Sequence, residues 1–227
     1  MRTLRRSNAT PARAAQRTNQ RLRTRKDLLD AAARLLRQGR NPAELDMDAV
    51  AAEAMVSRAT AYRYFPSIQS LLLEAPLDGQ VPNPRQLFAD DDCTDPAERI
   101  DKAEAALHEV CYRNEKQLRL MLAASLQRCD DGEAAGRNHH DGRHDIPIRQ
   151  NRRTALIQAA LRPARRRFSK PVYDKLCAAL ALIFGAESMI VFSDVLGLDP
   201  TTARRIKSWA ARVLVQAALK ESHSSRL

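Results

Sequence analysis

Apolar residues along this chain recur at helical spacing almost from end to end. Leu28, Leu29, Ala32, Leu35 and Leu36 fall at intervals of three and four with Arg and Lys opposite them, which predicts an amphipathic helix over residues 23–37. Thr24 is placed to cap its start and Gly39 to end it in a left-handed turn. Asp46 then caps a short helix over 47–54, and Met55 and Val56 form a tight turn. Ser57 caps a third helix over 58–64 that Pro66 stops, and Ser67 caps a fourth over 68–75. Pro76, Gly79, Pro82 and Pro84 predict a linker through residue 95.

The remainder continues in the same period. Helices are expected over 96–114, where Ile100, Ala103, Leu107, Val110 and Cys111 share a face, and over 117–128 and 148–161. Residues 129–147 are polar and Gly-rich and read as a flexible loop. Residues 171–196 are apolar almost all round, which predicts one long buried helix, and Asp199-Pro200 opens a last helix over 201–220. No alternating strand pattern and no internal repeat is present, so the fold class is all-α. The domain layout follows: a basic arm at 1–22, expected to be disordered, a helix-turn-helix domain at 23–76, a linker at 77–95 and a helical domain at 96–220.

Charge changes the picture more than composition does. The 227 residues are 44% hydrophobic but only 4% aromatic, and the formal net charge is +11, with a pI near 10.1. Such an excess points to a polyanionic partner, either nucleic acid or an anionic membrane surface. The arm concentrates it: Arg2, Arg5, Arg6, Arg13, Arg17 and Arg21 occur there without an acidic residue. Beside a DNA-binding motif, such an arm is a candidate phosphate or minor-groove contact. A second basic cluster comprises Arg149, Arg152, Arg153, Arg162, Arg165, Arg166, Arg167 and Lys170 and reads as a solvated face or an anion site.

Other chemistries find little support. The longest apolar run, residues 176–186, stops at Glu187 and is too short to span a bilayer, so no membrane partner is expected. The N-terminus lacks the apolar stretch of a secretory signal, and the four cysteines form no CxxC pair, so a reduced, cytoplasmic protein without a zinc ribbon is expected. His139, His140, Asp141, His144 and Asp145 are of types that ligate zinc or nickel, yet they lie in the Gly-rich loop without a scaffold, so no metal is expected. Neither a nucleophile–base–orienter pattern nor a Gly-rich phosphate loop occurs, so no enzyme and no cofactor is expected.

Residues 47–64 carry the function. A short helix, a tight turn and a second helix with polar side chains at its start are what the major groove, about 12 Å wide, admits. Arg58 can pair with guanine in bidentate fashion, and Thr60 can bond a base or touch a thymine methyl. Tyr62 and Tyr64 are placed to bond phosphate oxygens, while Val50, Ala51, Ala54, Val56, Ala61 and Phe65 pack the helices together.

The stretch MDAVAAEAMVSRATAYRYFPSIQSLLLEA resembles the N-terminal domain of the tetracycline-repressor (TetR) family of bacterial transcriptional regulators. The features that carry it are Val50-Ala51, Val56-Ser57-Arg58, Thr60, Tyr62, Phe65 and Leu71-Leu72, behind an apolar-periodic first helix. Residues 180–219 also resemble the closing helices of some members. The resemblance implies an all-helical homodimer that represses transcription until a small molecule binds its C-terminal domain. By position, Arg58, Ala59 and Thr60 would then face bases and Ser57, Tyr62 and Tyr64 the backbone, with Asp46 and Met47 also in the DNA-binding set. Two positions depart from the family pattern: Met55 stands where Gly is common, and Ile68 where Lys is common.

The second domain is then expected to dimerise and to bind ligand. Leu180, Phe184, Ile190, Val191, Leu214 and Ala218 are candidate dimer contacts, because a helix apolar on all sides needs more cover than one chain offers. Leu107, Cys111, Met121, Leu122, Ser125 and Phe184 are candidate pocket residues, although such residues more often form ordinary core. The expected partners are double-stranded DNA with a palindromic operator, a second copy of the chain and a small-molecule effector. An effector-independent architectural protein, a metal-dependent enzyme centred on the histidine loop and an anionic-membrane protein are the competing readings.

Overall fold

Helices supply all the regular structure in the computed structural model, which describes residues 11–134 and 151–224; no strand occurs among the described residues. The described residues divide into two units, one comprising residues 11–79 and 130–134, the other 80–129 and 151–224.

The first unit holds α1 (Pro11–Arg37), α2 (Met47–Glu53), α3 (Arg58–Tyr64) and α4 (Ile68–Asp78). α1 starts at Pro11, twelve residues before the expected start, so residues 11–22 are helix and not a disordered arm. The segment PARAAQR explains this: Pro suits a first helical position, where its missing N–H costs nothing, and Ala, Arg and Gln are strong helix formers. Thr24 is therefore no cap; it lies inside α1 and its hydroxyl donates to the Gln20 carbonyl at 3.1 Å. α4 likewise runs through Pro76, since a proline two residues from a helix end removes only one late ladder bond.

The core of this unit is built by Leu28, Leu29, Ala32 and Leu35 from α1, Val50 and Ala51 from α2, Ala61 and Phe65 at α3, and Leu71 and Ala75 from α4. Each fully buried Leu or Phe contributes about 1.5–3 kcal/mol. One ion pair is sealed within it. Arg25 Nη1 and Nη2 donate to the two carboxylate oxygens of Glu74 at 2.6 and 2.7 Å, and the guanidinium lies 4.4 Å over the Phe65 ring. That contact joins α1 to α4 across the residue that ends α3.

The second unit holds α5 (Pro84–Leu87), α6 (Pro96–Arg113), α7 (Glu115–Ala134) as far as residue 129, α8 (Arg152–Leu161), α9 (Lys170–Ile183), α10 (Ala186–Ile190), a π-helical turn (Val191–Val195) and α11 (Pro200–Ser224). The short α5 occupies part of the stretch read as linker. Residues 129–134, read as loop, continue α7; the rest of that loop, with His139, His140, Asp141, His144 and Asp145, lies outside the described residues, as does Arg149. Leu107, Leu156, Ile157, Leu161, Leu176, Leu180, Phe184 and Val215 pack one core. Arg99 is buried beside it, donating to the Ala160 and Ala159 carbonyls that α8 leaves open at its C-terminus and lying 4.0 Å over the Phe88 ring.

The apolar run at 171–196 is not one helix. It breaks at Phe184-Gly185, with a bend of 46° between α9 and the segment that follows. Gly185 takes φ +101°, a conformation that L-residues rarely adopt, and the Arg153 guanidinium stands 3.1 Å from where a Cβ would be. Arg153 donates to the Ala181 carbonyl and to Glu187, while the Ser188 hydroxyl contacts the Ile183 and Gly185 carbonyls at 2.7 and 2.9 Å. These partners satisfy carbonyls that a broken ladder exposes. Apolar periodicity runs through the break because a glycine interrupts the backbone without interrupting the pattern of side chains.

A group of charged side chains is enclosed between α6 and α11. Lys207 and Glu104 pair while nearly inaccessible, Arg204 Nε lies 3.3 Å from the same carboxylate, and Arg204 also donates to Asp101. Burial pushes the Glu104 carboxyl above its ordinary range, opposed by Lys207. Burial, followed by the charges of Lys207 and Arg204, lowers His108 to about 4.

Candidate nucleic-acid interface

The motif is assembled from local signals. The Asp46 carboxylate accepts from Ala49 N–H at 2.8 Å and so starts α2. α2 ends in a Schellman arrangement: Met55 N–H donates to Ala52 and Val56 N–H to Ala51. The same arrangement ends α1, with Gly39 N–H to Leu36 and Arg40 N–H to Leu35. The residue that must turn left-handed is Gly39 (φ +83°) in the first and Met55 (φ +55°) in the second. Met55 accepts the strained conformation anticipated from its sequence, and its side chain is 92% exposed, so packing does not compensate.

Ser57 starts α3, accepting from Thr60 N–H at 3.1 Å and donating to the Thr60 hydroxyl at 2.9 Å. This leaves the Thr60 proton to donate outward. Arg58, Ala59 and Tyr62 are exposed, as is Ser57, while Thr60 is half-buried. Arg58 Nη1 donates to Asp48 Oδ2 at 2.9 Å, and its guanidinium lies 5.5 Å over the Tyr62 ring. Tyr62 and then Asp48 hold Arg58 in its charged form, above its already high ordinary pKa. The start of α3 is thus a cationic, hydrogen-bonding surface about one helical turn long, the chemistry that base edges require.

Two of the proposed contacts sit elsewhere. Met47 is 2% exposed and Tyr64 is 6% exposed; both belong to the core of this unit. Tyr64 lies three residues after Ala61 and next to Phe65, on the face of α3 turned inward, and its ring fills that core instead of reaching a phosphate. Asp46 is exposed, but its carboxylate serves as the α2 cap. Ile68 packs against the core. Asp48, which holds Arg58, was not singled out from the sequence. Its partner lies ten residues on, across a turn, and helical spacing carries no signal for such a pair.

The second unit redistributes the other candidates. Leu107, Cys111 and Phe184 lie in its closed core, and Ser125 is buried with its hydroxyl donating to Leu122. A groove of about 330 Å³ is lined instead by Leu182, Ile183, Val191, Phe192, Ile206 and Lys207, among others. Of the dimer candidates, Leu180, Phe184 and Ala218 are buried inside the protomer and have no surface to offer a partner, Ile190 and Leu214 are half-buried, and Val191 is exposed. Large apolar side chains that face outward in this unit include Leu182, Val195, Leu196, Trp209 and Val213, together with Leu120 and Leu126 of α7 and Val191 and Ile206. In the second basic cluster, Arg153 braces the helix break, and Arg165 donates to the Phe168 carbonyl and stacks 4.0 Å over Tyr173.

Among the described residues, no group of three or more His, Cys, Asp and Glu side chains is arranged to hold a metal, and no single helix is long and apolar enough to cross a membrane. A family model described as bacterial regulatory proteins, tetR family, matches residues 28–75, from the second half of α1 to the interior of α4. No curated protein matches the chain.

Proposed function

We propose, from the premise that this chain belongs to the tetR family of bacterial regulatory proteins through its residues 28–75, that it reads a palindromic operator as a homodimer and represses transcription until a small molecule binds its second unit. DNA binding and transcription regulation come with the family. The observation that carries the finer reading is the start of α3, where Arg58, Ala59 and Thr60 are offered to a groove by a helix whose inward face is fully used for packing. A regulator of bacterial genes acts where the DNA is, in the cytoplasm.

Dimerisation is supported by the outward face of α11 and the π-helical turn. The chain's single Trp is 67% exposed there, Val195 is 73% exposed and Leu182 at the end of α9 is 79% exposed. Apolar exposure concentrated in this way marks an association surface. The groove shares Leu182, Val191 and Ile206 with exposed positions of that region, so a second copy seated there would cover it. The effector part of the reading rests on the family resemblance alone.

Selection of bound fragments from genomic DNA at moderate salt tests this reading. Enrichment of a short palindrome is the expected outcome, and Arg58→Ala should cost about 1–3 kcal/mol of discrimination at one base pair of each half-site. Salt-sensitive binding without enrichment would mean an architectural protein instead. A panel of small molecules, screened for release of the enriched duplex, tests the effector; if none releases it, the protein binds DNA constitutively.

A further inference from the structure

On the exposed side of the motif, α2 and α3 are joined by the pair Asp48–Arg58, whose side chains are 52% and 64% exposed. A pair so exposed adds little to folding, because water screens it and both side chains lose freedom in making it. A carboxylate also has an electrostatic cost near phosphates. Asp48 lies in the first turn of α2, where an acid suits the helix dipole, but that does not explain why Arg58 is turned toward it.

The geometry does. A guanidinium has five N–H donors in a rigid plane, and guanine takes two of them in parallel on O6 and N7. Asp48 engages Nη1, and the Tyr62 side chain is a second hydrogen-bonding partner of the guanidinium. The Tyr62 ring beneath limits swing in the other direction. We propose that Asp48 is a positioning residue for base reading, holding the Arg58 guanidinium at the start of α3 so that it meets a guanine with little further ordering. The proposal rests on the reading of Arg58 as a base contact. A side chain already held loses less conformational freedom on binding, and a fixed plane rejects wrong bases that a free one would accommodate.

The test uses the full chain, the duplex enriched by the wild-type protein and copies of it with each base pair of a half-site replaced in turn. Arg58→Ala should abolish discrimination at one G·C pair. Asp48→Ala should lower discrimination at that same pair about three- to fivefold. It should also tighten binding to unrelated DNA, since a negative charge has left the surface. Affinity and discrimination then move in opposite directions, which a folding defect would not produce. Asp48→Glu should restore most of the preference, and Asp48→Ala should cause no further loss of discrimination in the Arg58→Ala background. Unchanged discrimination in Asp48→Ala overturns the proposal, and so does a loss that persists without Arg58. If Arg58→Ala alone leaves every preference intact, the reading of Arg58 fails first and takes the proposal with it.

Discussion

The two units bury charge in different ways. In the first, Arg25 and Glu74 form a closed pair with both guanidinium ends on both carboxylate oxygens and an aromatic ring beneath. In the second, Glu104 faces Lys207 and Arg204 together, with Asp101 joined to Arg204 and His108 one turn along α6. The first acts as a clip between helices, and its cation is an arginine, which stays protonated at any ordinary pH. The second contains two groups that burial displaces toward their neutral forms, Glu104 raised and His108 lowered, in the field of Lys207 and Arg204.

The largest test of this difference is Glu74→Ala, which strands a buried guanidinium. It should cost about 3–5 kcal/mol. Thermal unfolding of the full chain, with hydrogen exchange localised to α1 and α4, measures it. Lys207→Met strands Glu104 instead and should cost about 2–3 kcal/mol near neutrality. That loss should shrink in acid, because a carboxyl already held above its ordinary range escapes by taking a proton. A loss that stays constant with pH would erase the distinction between clip and cluster.

A smaller effect isolates His108. Its folded pKa of about 4 lies below the ordinary 6.5, so between those values the unfolded chain binds the proton and the folded chain does not. Its contribution is fully present above pH 6.5, falls as pH drops through the window and levels off below about 4. Glu104 tilts the other way, so the informative quantity is a difference: His108→Gln should gain in Tm relative to wild type as pH falls from 6.5. A constant offset between the two melting curves would mean that His108 is not held neutral. The smallest effect concerns backbone strain in place of charge. Met55→Gly should stabilise the first unit by about 1 kcal/mol, because it gives α2 the same left-handed ending that Gly39 gives α1. An unchanged midpoint in denaturant would show that Met55 carries no strain.

The candidate site was legible to different depths. Asp46, Ser57 and Ser67 marked three helix starts, and Met55 marked a strained turn, because each of these involves groups within a few residues of one another. Arg58, Ala59 and Thr60 were legible as the exposed start of α3 for the same reason. Tyr64 and Met47 face the core because the rotation of each helix is set by what packs beneath it, which the chemistry of a side chain does not reveal. Asp48 was missed because its contact with Arg58 depends on how the turn folds α3 back on α2.

By itself, the sequence determined the all-helical class, the helix-turn-helix and most helix starts in the first unit, since caps, turns and periodicity are short-range and act wherever the chain is. Only the tertiary structure decided which apolar side chains are inside. It placed Leu180, Phe184 and Ala218 in the protomer core and left Leu182, Val195 and Trp209 facing out. It also split the apolar run at Gly185, braced by an arginine from another helix. Those outcomes depend on neighbours brought together by folding, and the free energy of burying a side chain is a property of the surroundings it ends up in.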